Sequence, residues 1–481
     1  MGKDFNLGLN FPVVGKSLFI LAVALFSCVF VALLFSEPVA PFLYSSLIAS
    51  AVGFLLYGLK QTRSEIESIT KKDASIIVSF SWIFFSIIGA LPYIISKAIP
   101  GFINAFFESM SGFTTTGASI LTDIEVLPKS ILFWRSLTHW IGGIGIIVLV
   151  IVIMPSLNMG SYSLFTLESS VQEKIQPKIR SVGRRLIMIY LLLTLLEIAL
   201  LLFGNMNLFE SVCHAFGTVA TGGFSPKNSS IAGYSPYIQY VITIFMLLAG
   251  VNFVVHYYIL KRDFRKVKEN EELRFYLLVV FIIGTILTFS LYFTMNKPFE
   301  ESFREAFFQV ISIITCTGFA SADYMVWPSF AWMLIFFAMF LGGSTGSTAG
   351  GIKMARHLVF LKNIKRSFHQ LKSPNVIINL KLNNNIVSYE NNRAILSFMV
   401  LYFIIFAFSS IVLIGFGIDG KTASSAVATC MAGIGPGIGT VGPASNFAHL
   451  PDVAKMMLSF VMLLGRLEIY TLLIWFFPTF S

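Results

Sequence analysis

Residues 107–117 read FESMSGFTTTG, a short amphipathic stretch that ends in a glycine within otherwise apolar sequence. Three further stretches have the same form: VCHAFGTVATG at 212–222, FQVISIITCTG at 308–318 and SAVATCMAGIG at 425–435. Their terminal glycines lie 105, 96 and 117 residues apart, so the pattern occurs about once in each quarter of the chain. Four short helices, each followed by exposed backbone, can surround an axis and present carbonyl oxygens to a dehydrated cation.

The composition is that of an integral membrane protein. Of 481 residues, 56% are hydrophobic, 12% are charged and 49 are phenylalanine. Apolar runs of about 20 residues recur along the chain and predict many transmembrane helices. The first run, Ser17–Phe35, has no small-residue cleavage site before Glu37, so we expect it to be retained as a span. The four cysteines show no Cys-x-x-Cys or Cys/His spacing, and the sequence predicts neither a disulfide framework nor a metal cluster.

The hydrophobic pattern predicts an all-α membrane protein with ten full spans and four segments that enter the membrane and return. Two leading helices, Ser17–Phe35 and Pro41–Leu59, precede four pseudo-symmetric repeats around a central pore, and each repeat has an outer helix, a short pore helix and an inner helix. The outer helices are predicted at Ile76–Ser96, Leu186–Phe203, Phe275–Met295 and Ala394–Phe416. The pore helices are predicted at Asn104–Phe113, Leu208–Val219, Ser302–Ile314 and Thr422–Met431. The inner helices are predicted at Ser130–Ile153, Tyr237–Leu260, Trp327–Ala355 and Val453–Phe477. The chain then divides into 1–72, 73–180, 181–270, 271–390 and 391–481.

The distribution of basic residues predicts the orientation. With both termini in the cytoplasm, 25 of the 34 Lys and Arg residues fall on the cytoplasmic side and eight on the outer side. All four glycine-ended segments then enter from outside. The basic excess is therefore a topology signal, and we expect no nucleic-acid partner. Acidic residues on the outer side, among them Glu108, Glu210, Glu300 and Asp419, would concentrate cations there unless they are ordinary solvated loop charges.

The four short segments predict a ring of backbone at membrane depth. A stretch of about ten residues cannot span a bilayer, and irregular backbone is tolerated there only where protein or a watery cavity surrounds it. Glycine adopts left-handed backbone freely, and this conformation is expected at Gly117, Gly222, Gly318 and Gly435. Threonine precedes three of these glycines, as Thr116, Thr221 and Thr317, whereas Ile434 precedes the fourth. A single such loop would be a packing turn, but four at matching places predict a pseudo-fourfold pore.

The loop motifs resemble those of the Trk/Ktr/HKT superfamily of potassium transporters. The matching stretches are SGFTTTGAS (111–119), TVATGGFS (218–225), ISIITCTGFA (311–320) and GIGPGIGTVGP (433–443). The two additional N-terminal helices and GRLEIYTLL (465–473) are similar to the TrkH/TrkG type more than to the KtrB type. The resemblance covers essentially the whole chain. It implies potassium uptake across the cytoplasmic (inner) membrane of a prokaryote, with K⁺ as the transported ion and neither an organic cofactor nor an enzymatic activity.

The same resemblance implies that the loops form the selectivity filter. Glycine at all four key positions is typical of potassium-permeable members, whereas serine at the first loop is associated with sodium preference in some plant members; here that position is Gly117. The expected filter residues, which would also bind K⁺, are Thr115, Thr116, Gly117, Ala220, Thr221, Gly222, Cys316, Thr317, Gly318, Gly433, Ile434 and Gly435.

A second feature is GGSTGSTAGG at Gly342–Gly351, inside the predicted third inner helix. Five glycines with Ser and Thr do not make a stable helix. The stretch does not match a phosphate-binding Gly-x4-Gly-Lys-Ser/Thr loop, because the nearest lysine is Lys353. We interpret it as a flexible loop that plugs the pore below the filter, as the equivalent segment is thought to do in the family; a helix break made for packing is the alternative. Its presence in one repeat of four favours the plug. The expected gate residues are Gly342, Gly343, Ser344, Thr345, Gly346, Gly350, Gly351 and Arg466.

Arg466 lies within the apolar run of the fourth inner helix, where a charged side chain is costly and usually functional. It would repel cations, stabilise carbonyl groups of the gate loop, or both, and the family has a corresponding arginine to which a barrier role is attributed. The alternative is a structural ion pair with Glu197 or Glu468. Glu468 is two residues away on a different helix face, which makes it a poor direct partner.

The partners are implied by the resemblance, not by the residues. They are a cytosolic ring of nucleotide-binding RCK-type subunits (TrkA-like) and a second copy of the chain in a homodimer. Membrane lipid headgroups suit the basic cytoplasmic segments, and residues 363–393 are the expected contact for a cytosolic partner. Two other functions remain open: a sodium-permeable or sodium/proton-coupled member of the superfamily, and an integral-membrane transferase. The transferase would need paired carboxylates or a His/Asp cluster, and the outer acidic residues are scattered.

Overall fold

The computed structural model describes residues 7–59, 71–148, 179–376 and 378–473. Within these ranges the regular structure is helical, except for one short antiparallel hairpin that pairs Lys381–Leu382 with Asn385–Ile386. The all-α class with helix–pore-loop–helix repeats is confirmed. The far ends of the predicted first and fourth inner helices, beyond Val148 and Leu473, lie outside the described residues.

The two leading helices, Leu7–Leu34 and Ala40–Gly58, pack along each other as a hairpin. They meet at two glycines: a Cβ built on Gly15 would lie 2.6 Å from the carbonyl oxygen of Gly53. The absence of side chains at these positions lets the two backbones approach closely, as is common between membrane helices. The first helix begins ten residues before the predicted start at Ser17.

The four outer helices are continuous and apolar. They are Lys71–Gly89 with its continuation Leu91–Ile95, Ile179–Phe203, Glu271–Met295 and Tyr389–Gly415. Together with the leading pair they supply the six helices of the described chain that are long and apolar enough to cross a membrane. Large apolar side chains such as Leu195, Phe281 and Ile404 are exposed on their outward faces, which is the pattern of lipid-facing helices.

The four pore helices are short and largely buried. They are Phe102–Phe113, Leu208–Val219, Phe299–Ile314 and Gly420–Ala432. At a rise of about 1.5 Å per residue, none is long enough to cross a bilayer. Two begin with a side-chain cap: the Asn207 side chain accepts a hydrogen bond from the amide of Glu210, and that of Asp419 from the amide of Thr422. These elements agree closely with the predicted segments.

Three of the four inner helices are broken, of which the sequence predicts only the break in the third, at the glycine-rich stretch. The first, Lys129–Val148, is continuous as far as it is described. The second consists of Pro236–Ala249 and Phe253–Leu260, bent by 102°. The third runs from Ser329 to Ala338 and resumes as a helix only at Met354–Lys372. The fourth ends at Arg466 and continues as Tyr470–Leu473. The predictions of continuous helices over Tyr237–Leu260 and Val453–Phe477 are therefore wrong.

The break in the second inner helix lies at contacts that hydropathy does not register. At Gly250 a Cβ would lie 2.6 Å from the hydroxyl oxygen of Tyr276 and 2.8 Å from the methyl group of Thr315, so the chain turns where it meets the next pore helix. Asn252 then caps the following helix by accepting a hydrogen bond of 2.8 Å from the amide of Val254. Since a break occurs in three repeats, a break alone does not single out the third inner helix. What distinguishes that repeat is the length of its non-helical segment.

Candidate functional site: a ring of four loops

Each pore helix ends in the same closing turn. The amide of one loop residue donates to the carbonyl oxygen five residues earlier, in a Schellman-type motif. The four bonds run from Thr116 to Ser111 (2.9 Å), Gly222 to Gly217 (2.8 Å), Thr317 to Ser312 (2.8 Å) and Ile434 to Thr429 (2.9 Å). The donors Thr116, Gly222, Thr317 and Ile434 are therefore structurally equivalent.

Each loop has two left-handed residues separated by one ordinary residue. The pairs are Thr115 and Gly117, Thr221 and Gly223, Cys316 and Gly318, and Gly433 and Gly435. Gly223 (φ +80°) therefore corresponds to Gly117 (φ +79°). The prediction that Gly222 is left-handed is wrong, and Thr221 corresponds to Thr115 and not to Thr116. The end of the pore helix determines which residue of the turn is left-handed. The sequence alone does not show whether this residue is Gly222 or Gly223.

The four loops close into a ring through contacts between backbones. A Cβ on Gly117 would overlap the carbonyl oxygen of Gly222, one on Gly223 that of Thr317, and one on Gly318 that of Ile434. A Cβ on Gly435 would lie 2.8 Å from the carbonyl oxygen of Thr116, which completes the circle. Each left-handed glycine thus lies against a carbonyl group of the next loop. A side chain at any of these four positions would displace that carbonyl group.

One side of the ring opens into a cavity of about 170 Å³. All four ring glycines, Gly117, Gly223, Gly318 and Gly435, line this cavity, together with the loop segments that follow them. The expected filter residues of all four repeats are therefore brought together at one place. A small desolvated cation that enters the cavity meets backbone from every repeat.

Hydroxyl groups brace two of the four loops behind the ring. In the first loop the hydroxyl groups of Thr114 and Thr116 lie 2.8 Å apart, and in the third loop those of Thr315 and Thr317 lie at the same distance. The second and fourth loops have no hydroxyl pair at the corresponding places. Their residues are Ala220 with Gly222 and Ala432 with Ile434. Opposite loops are thus more alike than neighbouring ones, which is a pseudo-fourfold arrangement.

A buried ion pair ties the first loop to the second. Glu108 is fully buried, and its carboxylate accepts a hydrogen bond of 2.6 Å from the Nε of Arg135. The same carboxylate accepts hydrogen bonds from the hydroxyl of Ser119 (3.0 Å) and the amide of Ile120 (2.9 Å). Arg135 also donates to the carbonyl oxygen of Ser225 (3.0 Å), just beyond the second ring glycine. Glu108 is a structural support of the ring of loops, and its predicted role as an outer acidic charge is wrong.

Several other acidic residues of that face are also neutralised. Glu210 lies 3.4 Å from the Nζ of Lys227, and Glu300 lies 2.9 Å from the Nε of Arg304. Asp419 remains an exposed carboxylate at the cap of the fourth pore helix, where the hydroxyl and amide of Thr422 hold its pKa below the usual range. Fewer free carboxylates therefore remain on this face to attract cations than the sequence count suggests.

The non-helical segment of the third inner helix crosses the other side of the ring. The hydroxyl of Thr348 donates a hydrogen bond of 3.0 Å to the carbonyl oxygen of Val219, the last residue of the second pore helix. A Cβ on Gly350 would overlap the carbonyl oxygen of Ala432, and one on Gly351 would lie 3.5 Å from the sulfur of Cys316. The glycine-rich loop thus touches the second, third and fourth repeats on this side of the ring.

Arg466 holds this loop from the fourth inner helix. Its guanidinium donates to the carbonyl oxygens of Thr348 (3.0 Å) and Gly142 (3.1 Å) and is buried. Among the described residues no carboxylate lies within ion-pair distance of Arg466. Glu468, one of the two partners considered from sequence, lies 2.6 Å from Arg356 instead. The positive charge is therefore solvated by backbone carbonyl groups that belong to the first and third inner segments.

Glu272 is a loop-binding residue that the sequence did not reveal. One oxygen of its buried carboxylate accepts hydrogen bonds from the amide (2.8 Å) and hydroxyl (3.2 Å) of Thr345 and from the amide of Ala355 (2.8 Å). It therefore holds the segment at two points ten residues apart. In the sequence Glu272 is one of two acidic residues in the first turn of an apolar span, a common arrangement that carries no special signal.

The chain is similar to cation transport proteins over nearly its whole length. The family model TrkH, described as a cation transport protein, matches residues 42–479. The Trk system potassium uptake protein TrkH of Escherichia coli (strain K12) is 36% identical over 440 residues, covering 90% of each chain. The protein TrkG of the same organism is 35% identical over 411 residues, covering 84% of each chain. The crystal structure of the potassium transporter TrkH from Vibrio parahaemolyticus matches with a TM-score of 0.90 at 30% identity, covering 98% of each chain.

Replacing Glu108 with glutamine should destabilise the protein, because Arg135 would keep a buried charge without its counter-ion. Breaking a buried pair in this way costs about 3–5 kcal/mol. The thermal unfolding of the purified variant, followed by intrinsic fluorescence in detergent, should show a clearly lowered midpoint. The matched control is Glu269→Gln, which removes one member of the exposed pair with Arg265 and should leave the midpoint almost unchanged. Equal midpoints for the two variants would contradict the bracing role.

Proposed function

The chain belongs to the TrkH family of cation transport proteins, and we propose that it takes up potassium through the ring of four loops. The closed ring of left-handed glycines, each against a carbonyl group of its neighbour, is the observation that carries this proposal. Carbonyl oxygens replace the hydration shell of potassium in known selectivity filters. The pore helices also direct their partially negative C-terminal ends at the ring, which favours a cation there.

In this proposal the ion passes two elements in series. It loses water in the 170 Å³ cavity and at the ring, and then meets the glycine-rich loop and the charge of Arg466. A fixed positive charge directly below the filter opposes the passage of a cation. The loop must therefore move, together with the carbonyl groups that solvate Arg466, before the ion proceeds. We propose that residues 342–351 with Arg466 form the gate.

Potassium accumulation would be driven by the membrane potential, with both termini in the cytoplasm of a prokaryote. Moving one charge across the membrane is worth about 2.3 kcal/mol per 100 mV. Uptake by this route does not require a coupled ion. A sodium-permeable or proton-coupled transporter of the same family is the alternative function, and an assay of ion competition distinguishes it.

We propose that the gate is controlled by a cytosolic RCK-type nucleotide-binding subunit (TrkA-like), and that the chain acts as a homodimer. The names of the similar proteins describe a Trk system, which supports the association with a further Trk component. A route for control is supported by two contacts: Glu271 pairs with Lys362, and its backbone amide donates a 2.7 Å hydrogen bond to the side-chain oxygen of Asn383. This places the hairpin at Lys381–Ile386 next to Glu272, which binds the loop.

The proposed function is tested by rubidium uptake into liposomes that contain the purified protein. Rubidium substitutes for potassium, and an inside-negative potential is set by a gradient of another ion. We expect uptake that potassium blocks at low concentration and sodium or lithium only at much higher concentration. Equal inhibition by sodium and potassium would favour the sodium-permeable alternative, and no uptake with or without a nucleotide-binding subunit would contradict the proposal.

In the same assay, Gly318→Ser should lower the preference for rubidium over sodium. The residue has φ +81°, and its new Cβ would overlap the carbonyl oxygen of Ile434, so the ring must deform. A loss of selectivity of roughly tenfold corresponds to about 1.4 kcal/mol. The control is Gly417→Ser, a left-handed glycine (φ +88°) with open space around its Cβ. An unchanged competition ratio in Gly318→Ser would show that this glycine is not part of the filter.

Removing the anchor of the gate loop should raise basal flux. Glu272→Ala leaves the amides of Thr345 and Ala355 without their acceptor, which costs about 1–3 kcal/mol in the state that holds the loop. Rubidium flux without a regulatory subunit should therefore increase by roughly tenfold or more. Glu272→Gln keeps an oxygen of similar position and should stay close to the unmodified protein. If both variants fold and neither raises basal flux, the loop is not the gate.

A further inference from the structure

His139 on the first inner helix lies directly against the second filter loop. It is fully buried, and a Cβ built on Gly222 would overlap its Nδ1 and lie 2.7 Å from its Cε1. On its other side the imidazole packs against Phe224, with ring centroids 4.1 Å apart at an angle of 67°. The ring thus fills the space between a filter residue and the residue two positions after it.

Position 222 needs a glycine because of this histidine, and not because of its backbone conformation. Gly222 is absent from the left-handed positions of the described chain, in contrast to its neighbour Gly223. The equivalent positions in the other loops hold Thr116, Thr317 and Ile434, so side chains are accepted there. The three atoms nearest to a Cβ at Gly222 all belong to the imidazole of His139. The two residues are therefore a matched pair.

A comparison of the first and second repeats shows which residue of the second repeat is equivalent to His139. Gly143 of the first inner helix approaches the hydroxyl of Tyr190 and the backbone of Ala220, and its Cβ would lie 2.6 Å and 3.0 Å from them. Gly250 of the second inner helix approaches Tyr276 and Thr315 in the same way, at 2.6 Å and 2.8 Å. The two glycines are thus equivalent positions.

The tyrosines confirm the alignment. Tyr190 donates to the carbonyl oxygen of Trp140 (3.0 Å) and Tyr276 to that of Leu247 (3.2 Å), in each case three residues before the glycine. His139 lies four residues before Gly143, and the residue four before Gly250 is Met246. A buried methionine therefore stands where the first repeat has a histidine.

The imidazole is a costly choice for a packing role. Among the residues that the structure describes, neither ring nitrogen of His139 has a hydrogen-bond partner. A buried polar group without a partner is unfavourable by about 1–3 kcal/mol. Methionine fills the equivalent space without that cost. The flat ring, unlike a flexible thioether, fits between Gly222 and Phe224 as a rigid wedge.

We propose that His139 is a positioning residue of the selectivity filter, which fixes the second loop through Gly222 and so sets the preference among monovalent cations. The carbonyl oxygen of Gly222 lies against Gly117, so a shift of this loop is passed to the first loop of the ring. In the second loop, the imidazole of His139 takes the place of the hydroxyl pair that braces the first and third loops. This inference rests on the proposed transport of potassium through the ring.

The test compares rubidium uptake and its inhibition by sodium for the unmodified protein, His139→Ala, Gly222→Thr and the double variant. His139→Ala should lower the preference for rubidium over sodium by roughly threefold to tenfold, because contacting residues couple on that scale. Gly222→Thr should also lower it, because the threonine and the imidazole compete for one space. The double variant should recover most of the preference, since the new side chain occupies the space that the ring has left. His256→Ala removes a buried histidine that binds the carbonyl oxygen of Leu248, and this control should leave the ratio unchanged.

The competition ratio separates positioning from mere loss of folded protein, because the amount of active protein cancels in it. An unchanged ratio in His139→Ala, or a double variant as poor as the two single changes combined, overturns the inference. If His139→Ala yields no folded protein, His139→Met replaces it, since this side chain occupies the equivalent place in the second repeat, and the same two outcomes apply. Absence of selective rubidium uptake in the unmodified protein would instead refute the proposed function.

Discussion

The structure depends on one constraint: four stretches of non-helical backbone lie at membrane depth, and each must be held by other protein groups. Lipid offers no hydrogen bonds to such backbone. The chain satisfies this need by closing each pore helix with the same turn and setting each ring glycine against the next loop. Once the ring is closed, its carbonyl groups cannot move singly. The outer helices, the buried Glu108–Arg135 pair and the inner helices all serve to keep four unequal loops in one register.

The parts that sequence reasoning found are those governed by average hydrophobicity. The leading and outer helices are long apolar runs, and their C-terminal ends agree with the prediction, whereas the first helix begins ten residues early. The pore helices are short runs bounded by polar loops, and they agree with the prediction within three residues. The break at Gly250 was missed because it depends on Tyr276 and Thr315, which come from other segments. The offset between Gly222 and Gly223 was missed for a related reason: the end of a helix decides which of two adjacent glycines is left-handed.

Buried charge was the other feature beyond the reach of sequence. Glu108 and Arg135 lie 27 positions apart beside loops, and nothing in composition distinguishes them from solvated residues. Glu272 resembles an ordinary acidic residue at a helix start. Arg466 was identified because a cation within a long apolar run is rare, yet its partners, two carbonyl groups on different inner segments, could not be read from its neighbours in the chain. A charge inside a long apolar run, such as Arg466, is thus recognisable from the sequence, but its partners require the fold.

The choice of partner for Arg466 has a consequence for conduction. A carboxylate partner would neutralise the guanidinium and remove most of its repulsion for a passing cation. Carbonyl groups solvate the charge without cancelling it, so a barrier remains for as long as the loop supplies the oxygen of Thr348. In the proposed gate, loop and arginine therefore stabilise each other in the arrangement that would obstruct the pore. Glu272 holds the same loop at Thr345 and Ala355. If this loop is the gate, as proposed, releasing these bonds would free the guanidinium to turn away, and one movement would remove both the steric and the electrostatic barrier.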